Sequence, residues 1–188
     1  MTVLVILLSE RKSKNEKEIT EILKKYGANH YTDKTIFEGK NAFTCINIYK
    51  PTELLVKNAL AVFIEKNTKF NKQKFPISII GVCEDSNKSA LENFKKWGNA
   101  VITCGINNKN TLTISSFSEN SVLVTLQRSV IDLKGNRIEP CEFKIRLSKQ
   151  YNPYSILSSV AILILLGINP TEFWLNYKQL GKNIAEVE

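Results

Sequence analysis

The hydrophobic period of this chain changes at residue 107, and that change fixes the class of fold open to it. Before it, Ile77–Cys83 is a short apolar run of strand type. Asn87–Trp97 then carries Ala90, Leu91, Phe94 and Trp97 on one helical stripe closed by Gly98, and Asn99–Ile106 returns as a strand. A strand–helix–strand unit of this length builds a parallel sheet with a right-handed crossover. After the loop Asn107–Asn110 the period becomes two. Thr111–Phe117, Ser121–Asp132 and Arg137–Leu147 alternate apolar and polar residues and are joined by Ser-Glu-Asn and Lys-Gly-Asn turns. That pattern is an antiparallel meander with one solvated face.

The flanking segments extend the same architecture. Val3–Leu8 is apolar throughout, as in a strand covered on both faces. Its positive charges, Arg11 and Lys12, follow the apolar run, the reverse of a signal peptide. Lys14–Tyr26 spaces Ile19, Ile22, Leu23 and Tyr26 as an amphipathic helix stopped by Gly27, and Asn41–Tyr49 and Asn58–Glu65 read as strands separated by a turn at Pro51-Thr52. Pro153 opens an apolar helix, Tyr154–Leu166, ended by Gly167. A last helix is expected from Asn169 as N-cap and Pro170, with Trp174 and Leu180 on its buried side. The expectation is one α/β domain over residues 1–188: a mainly parallel sheet with flanking helices plus an antiparallel β-meander. The lysine-rich stretch 66–76 is its only seam. The longest later apolar run, Val160–Ile168, is far short of the ~20 residues that span a bilayer, so a soluble, cytoplasmic protein without membrane contact is expected.

The residues that carry chemistry are sparse. The eight glycines stand at 27, 39, 81, 98, 105, 135, 167 and 181. Neither the two glycines and Lys-Ser/Thr of a P-loop nor the three glycines of a dinucleotide fingerprint can be drawn from these spacings. Cys45, Cys83, Cys104 and Cys141 are too dispersed for a zinc or redox pair, and three lie in strand-like runs where Cys behaves as a small buried hydrophobe. The net charge is +8, with a cluster at Lys66, Lys69, Lys72 and Lys74. Only four of the basic residues are Arg, the residue that reads nucleic acid bidentately, so the balance is read as compositional drift. The sole histidine, His30, sits in the polar stretch His30-Tyr31-Thr32-Asp33 and reads as a surface or capping residue; a general base is its other reading. Glu84 and Asp85 are adjacent, and N-capping of the next helix by Asp85 or Ser86 is expected over paired-carboxylate catalysis. In open α/β sheets ligands lie outside the carboxyl ends of parallel strands. The loops Ser9-Glu10-Arg11, Glu84-Asp85-Ser86 and Asn107–Asn110, together with Asn152 at a helix start, are therefore the candidate crevice.

The succession Val82-Cys83-Glu84-Asp85-Ser86-Asn87, then Val101–Gly105, the meander 111–147, Tyr151-Asn152-Pro153-Tyr154-Ser155 and Ala161 through Gly167-Ile168 resembles the second half of the central domain of Mur ligases, over about residues 77–170. There an acidic turn, a strand ending in an aromatic-Gly pair, a meander and a Gly-x-aromatic-Asn-x-x-Asn segment enter an alanine-rich helix. The resemblance implies that fold and a history of nucleotide binding in bacteria. The chain departs from the family at the residues that would do the chemistry. The glycine before the aromatic-Asn pair is replaced by Lys149-Gln150, and the second asparagine is Ser155. The proline of the acidic turn is Ser86, and no carbamylated lysine or magnesium ligands can be placed. At this length no counterpart of the family's UDP-substrate and C-terminal ligase domains is expected.

ATP-driven ligation depends on positioning and charge neutralisation, and no residues here supply them. The expected function is a non-catalytic Mur-ligase-like domain, a pseudoenzyme that binds a small molecule or a protein, with no cofactor, no metal and no nucleic acid. Its candidate ligand-binding residues are Glu84, Asp85, Asn107, Asn110 and Asn152. The alternatives are an interaction protein forming a homo-oligomer through the meander, where Val122–Ile131 leaves a free edge or an apolar outer face, and an enzyme using His30 or the crevice carboxylates.

Overall fold

The apolar run at the N-terminus forms strand β1 (Val3–Ser9), in which Val5, Ile6, Leu7 and Leu8 have no solvent exposure. A computed structural model describes residues 3–32, 35–40, 43–49, 56, 59–63 and 75–171. Along the chain follow α1 (Lys14–Lys25), β2 (Asn29–Tyr31), β3 (Ile36–Phe37), β4 (Phe43–Tyr49), β5 (Ala59–Phe63), β6 (Ile80–Glu84) and α2 (Lys88–Trp97). Then come β7 (Val101–Cys104), β8 (Leu112–Ser118), β9 (Ser121–Leu126), β10 (Val130–Ile131), β11 (Arg137–Ile138), β12 (Cys141–Arg146) and α3 (Pro153–Leu165). Among the described residues, ten strands join one sheet in the order β12-β9-β8-β7-β6-β5-β1-β4-β2-β3. The strands before residue 66 thus continue the same sheet as those after 77.

Pairing is parallel from β2 through β4, β1, β5, β6 and β7. It stays parallel to β8 through the single pair Cys104–Leu112, and is antiparallel for β8–β9 and β9–β12. The change of hydrophobic period at 107 is therefore the change of strand direction. The fold is α/β, mainly parallel, with the expected antiparallel extension.

Side chains alternate across the sheet and feed two cores. Val5 and Leu7 point to the face covered by α1 and α3, packing with Ile19, Leu23, Val62, Val82 and the length of α3. Ile6 and Leu8 point to the face covered by α2, with Ala61, Cys83, Ala90 and Phe94. There Phe94 meets Phe63 edge-on at 5.3 Å and stacks on Phe75 at 5.7 Å. α3 is buried on every side, so its interior serines need local partners. Ser158 and Ser159 donate to the carbonyls of Tyr154 and Ser155, both at 2.7 Å. No helix among the described residues is long and apolar enough to cross a membrane.

Several local expectations change. The strand expected at Ile77–Cys83 begins only at Ile80, because residues 77 and 78 turn and Ile77 is exposed. The three-stranded meander is interrupted: β10 and β11 form a separate ribbon, and β12 returns to pair with β9. Pro140, which has no N–H to give a ladder, stands between β11 and β12. β9 has partners on both sides, so at Val122–Leu126 there is no free edge, and this end of the large sheet is closed by β12. That edge carries Glu142, Lys144 and Arg146, charges of the kind that discourage edge pairing. Helix α2 is capped by Asn87, whose Oδ1 accepts from the Ala90 amide at 3.0 Å, and not by Asp85 or Ser86. The reason is that the Asp85 amide still bonds to the Cys104 carbonyl at 3.1 Å, so the chain leaves the sheet later. Cys45, Cys83 and Cys104 are buried free thiols and Cys141 is exposed. The lysines at 66, 69, 72 and 74, and Trp174 and Leu180, lie outside the described residues.

Gly81 in β6 is required by contact. A Cβ there would lie 2.3 Å from Phe94 Cζ, inside the aromatic core. Gly81→Ala is expected to destabilise the protein by about 1–3 kcal/mol through overpacking, read as a lowered urea midpoint with an unchanged slope.

Candidate functional site

The carboxyl ends of β6 and β7 meet the N-terminus of α3 and the first turn of α1. Together they wall a cavity of about 720 Å3 lined by Asn15, Glu84, Asp85, Asn107, Asn152 and Tyr154, with Gly105, Ile106, Pro153 and Leu157. Four of the five residues picked from the sequence, Glu84, Asp85, Asn107 and Asn152, share this lining. The fifth, Asn110, lies just behind it at 2% exposure. Its Nδ2 donates to Asp85 Oδ2 at 2.8 Å and to the Asn107 carbonyl at 3.0 Å, so it fixes the other two. Glu10 and Arg11, from the loop after β1, do not line the cavity, and that loop (Ser9–Ser13) contains no glycine.

Each wall has a physical reason. Gly105 allows the close approach: a Cβ there would sit 2.5 Å from Asn110 Nδ2 and 2.8 Å from Asp85 Oδ2. Asn152 Oδ1 accepts from the Tyr154 amide at 2.9 Å and caps α3, with Pro153 in its first turn. The Asn152 amide in turn donates to Glu18 Oε2 at 2.9 Å, which places a carboxylate of α1 at the positive end of α3. The Tyr154 hydroxyl donates to the Phe63 carbonyl at the end of β5, and burial holds its phenol well above the ordinary range. Tyr154 thus pins the start of α3 to the carboxyl edge of the sheet. Gly105 and Tyr154 stand in segments that carry the resemblance but were not singled out as site residues, and Asn15 had no signal in the sequence, because their meeting depends on how α1 and α3 cross.

His30 lies elsewhere. It is not a surface residue but sits in β2 at 5% exposure, where the pairing of β2 with β4 brings it beside Asn47. Its Nε2 is 3.3 Å from Asn47 Oδ1. It lines a second cavity of about 640 Å3, bounded by α1 and by the ends of β2 and β4, and it does not meet Glu84 or Asp85. Burial lowers its pKa from 6.5, and the charge of Lys24 lowers it further, against smaller opposing effects from Asn47 and Glu16. Among the described residues, no group of three His, Cys, Asp or Glu side chains is placed to hold a metal.

No protein-family model and no curated protein sequence matches the chain. Solved structures do match in fold. A murein peptide ligase from Psychrobacter arcticus 273-4 aligns with a TM-score of 0.56 at 10% identity, covering 91% of this chain and 45% of that one. The UDP-N-acetylmuramate:L-alanyl-gamma-D-glutamyl-meso-diaminopimelate ligase of Neisseria meningitides aligns with a TM-score of 0.52 at 13% identity, covering 91% and 63%. MurF from Acinetobacter baumannii gives 0.51 at 8% identity, covering 92% and 44%. The fold is therefore Mur-ligase-like. The likeness extends well beyond residues 77–170, while the chain spans between 44% and 63% of the length of these proteins.

His30 gives a test of the buried geometry. Above 6.5 the ring is neutral in the folded and unfolded chain, and its contribution to stability is fully present. As pH falls below 6.5 the unfolded chain takes up the proton first, so stability is lost down through the lowered folded value. Urea midpoints measured from neutrality into the mildly acidic range should fall with pH, and His30→Gln should flatten that slope. Carboxylates titrate nearer pH ~4, so an unchanged slope in the variant would mean that the ring is not buried neutral.

Proposed function

We propose that this chain is a Mur-ligase-like domain that binds a small polar ligand in the crevice between β6, β7 and α3, without ATP-driven ligase activity. One observation carries this reading. Loops far apart in sequence converge on one cavity of about 720 Å3 whose walls present carboxylate and carboxamide groups. Cavities of this size accept small molecules, and a few convergent polar groups supply orientation. The absence of ligation rests on the glycine spacings, from which no P-loop to cradle a triphosphate can be drawn. Asp85 is held in place by Asn110 rather than left to swing, which favours a preorganised site.

A thermal-shift screen with nucleotides, UDP-sugars and peptidoglycan precursors tests the reading. A ligand of the crevice should raise the melting temperature, and Glu84→Ala, which removes one wall without breaking a helix cap, should reduce its affinity by about tenfold. If no compound shifts the melt at millimolar concentration, the small-molecule function is lost. Release of phosphate from ATP by the purified chain would overturn the non-catalytic part.

A further inference from the structure

The second cavity, on the opposite side of α1, is lined by residues that each keep one buried polar atom without a partner in the protein. Glu16 and His30 are each 5% exposed and Thr20 is 8% exposed, and all three line it. Glu16 Oε2, His30 Nδ1 and Thr20 Oγ1 have no hydrogen-bond partner in the protein. Buried polar atoms are nearly always satisfied, so three orphans in one cavity mark a place where something else supplies the bonds.

The bonding around them sets what they need. Glu16 Oε1 already accepts from Asn47 Nδ2 and from the Tyr49 hydroxyl, both at 2.5 Å. Because Asn47 gives its amide hydrogens to Glu16, its Oδ1 faces His30 as an acceptor and His30 Nε2 must carry the ring proton. His30 Nδ1 is then a bare acceptor. Behind the cavity wall the protein thus leaves unmet a carboxylate oxygen, an imidazole lone pair and a threonine hydroxyl. They call for at least two donated hydrogens from a guest.

The rim argues for the charge of that guest. Lys12, Lys17 and Lys24 line the mouth. The other acid there, Glu21, is engaged by Lys149 at 2.6 Å and by Lys25 at 3.6 Å. Three ammonium groups disfavour a cationic donor such as an amine and favour an anion, so the donated hydrogens are best carried by hydroxyls. We infer that this cavity binds a small polyhydroxylated anion of the sugar-phosphate or sugar-acid class, with hydroxyls on Glu16, His30 and Thr20 and the anionic group at the lysine rim. A volume of about 640 Å3 suits a single sugar with its charged substituent. The site is separate from the crevice and stands whether or not that crevice binds anything.

His30 is the only histidine, so its ring nitrogens can be followed by NMR without assignment. Glycerol phosphate, ribose phosphate and glucuronate are the probes, each compared with glycerol, ribose or inorganic phosphate alone. A probe carrying both hydroxyls and an anionic group should move the His30 Nδ1 signal and bind at least about tenfold more tightly than either half. Glu16→Gln keeps Oε1 as acceptor but turns Oε2 into a donor, and Thr20→Val removes the hydroxyl at nearly constant shape. Each should weaken binding by about tenfold, while Glu84→Ala in the other crevice should leave it unchanged. The inference is overturned if none of the three probes perturbs His30 at millimolar concentration. It is equally overturned if a folded Thr20→Val protein binds like the parent, or if simple amines bind better than the sugar anions.

Discussion

A central strand buried on both faces is the constraint from which the rest of this structure follows. Val5 to Leu8 of β1 have no exposure, and their side chains alternate between two cores. Each face must be covered, and a neighbouring strand must lie on each side because its backbone groups cannot be left unpaired. β4 and β5 fill the sides, α1 with α3 covers one face, and α2 with the Phe63, Phe75 and Phe94 cluster covers the other. With both faces occupied, loops gather at the carboxyl edge, and both cavities are found there.

Helix α1 divides that edge. Asn15 and Glu18, three apart, are directed toward α3, where Glu18 accepts the Asn152 amide. Glu16, Thr20 and Lys24, spaced by four, face the His30 cavity. Glu21 accepts from Lys149 and Tyr151 and ties the segment before α3 to the same helix. One twelve-residue helix therefore supplies walls to two cavities of different chemistry.

The two cavities differ in how their polar atoms are used. Around the crevice, Asn110 and Gly105 hold Asp85 in place and Asn152 caps a helix, so part of the polar lining does structural work. Around His30 the structural bonds stop one atom short: Glu16 has one oxygen committed and one open, and His30 has one nitrogen committed and one open. In a low-dielectric interior such open atoms are costly unless a guest or water meets them.

Periodicity alone determined the parallel sheet, the two strand-flanked helices, the apolar helix α3 and the change of direction at residue 107, because each follows from which residues must leave water. The placement rule for open α/β sheets also picked out Glu84, Asp85, Asn107 and Asn152 before their meeting was visible. The break between β11 and β12, the cap at Asn87 and the role of Asn110 behind Asp85 were not legible, since each depends on a hydrogen bond to a distant strand or loop. The largest difference is His30. As one residue in a polar stretch it reads as exposed, and only the parallel pairing of β2 with β4 buries it beside Asn47 and opposite Glu16. Sequence determines which residues are apolar and how often they recur. Which polar residues are shut in together is decided by strand order, because neighbours in the sheet come from segments that are remote along the chain.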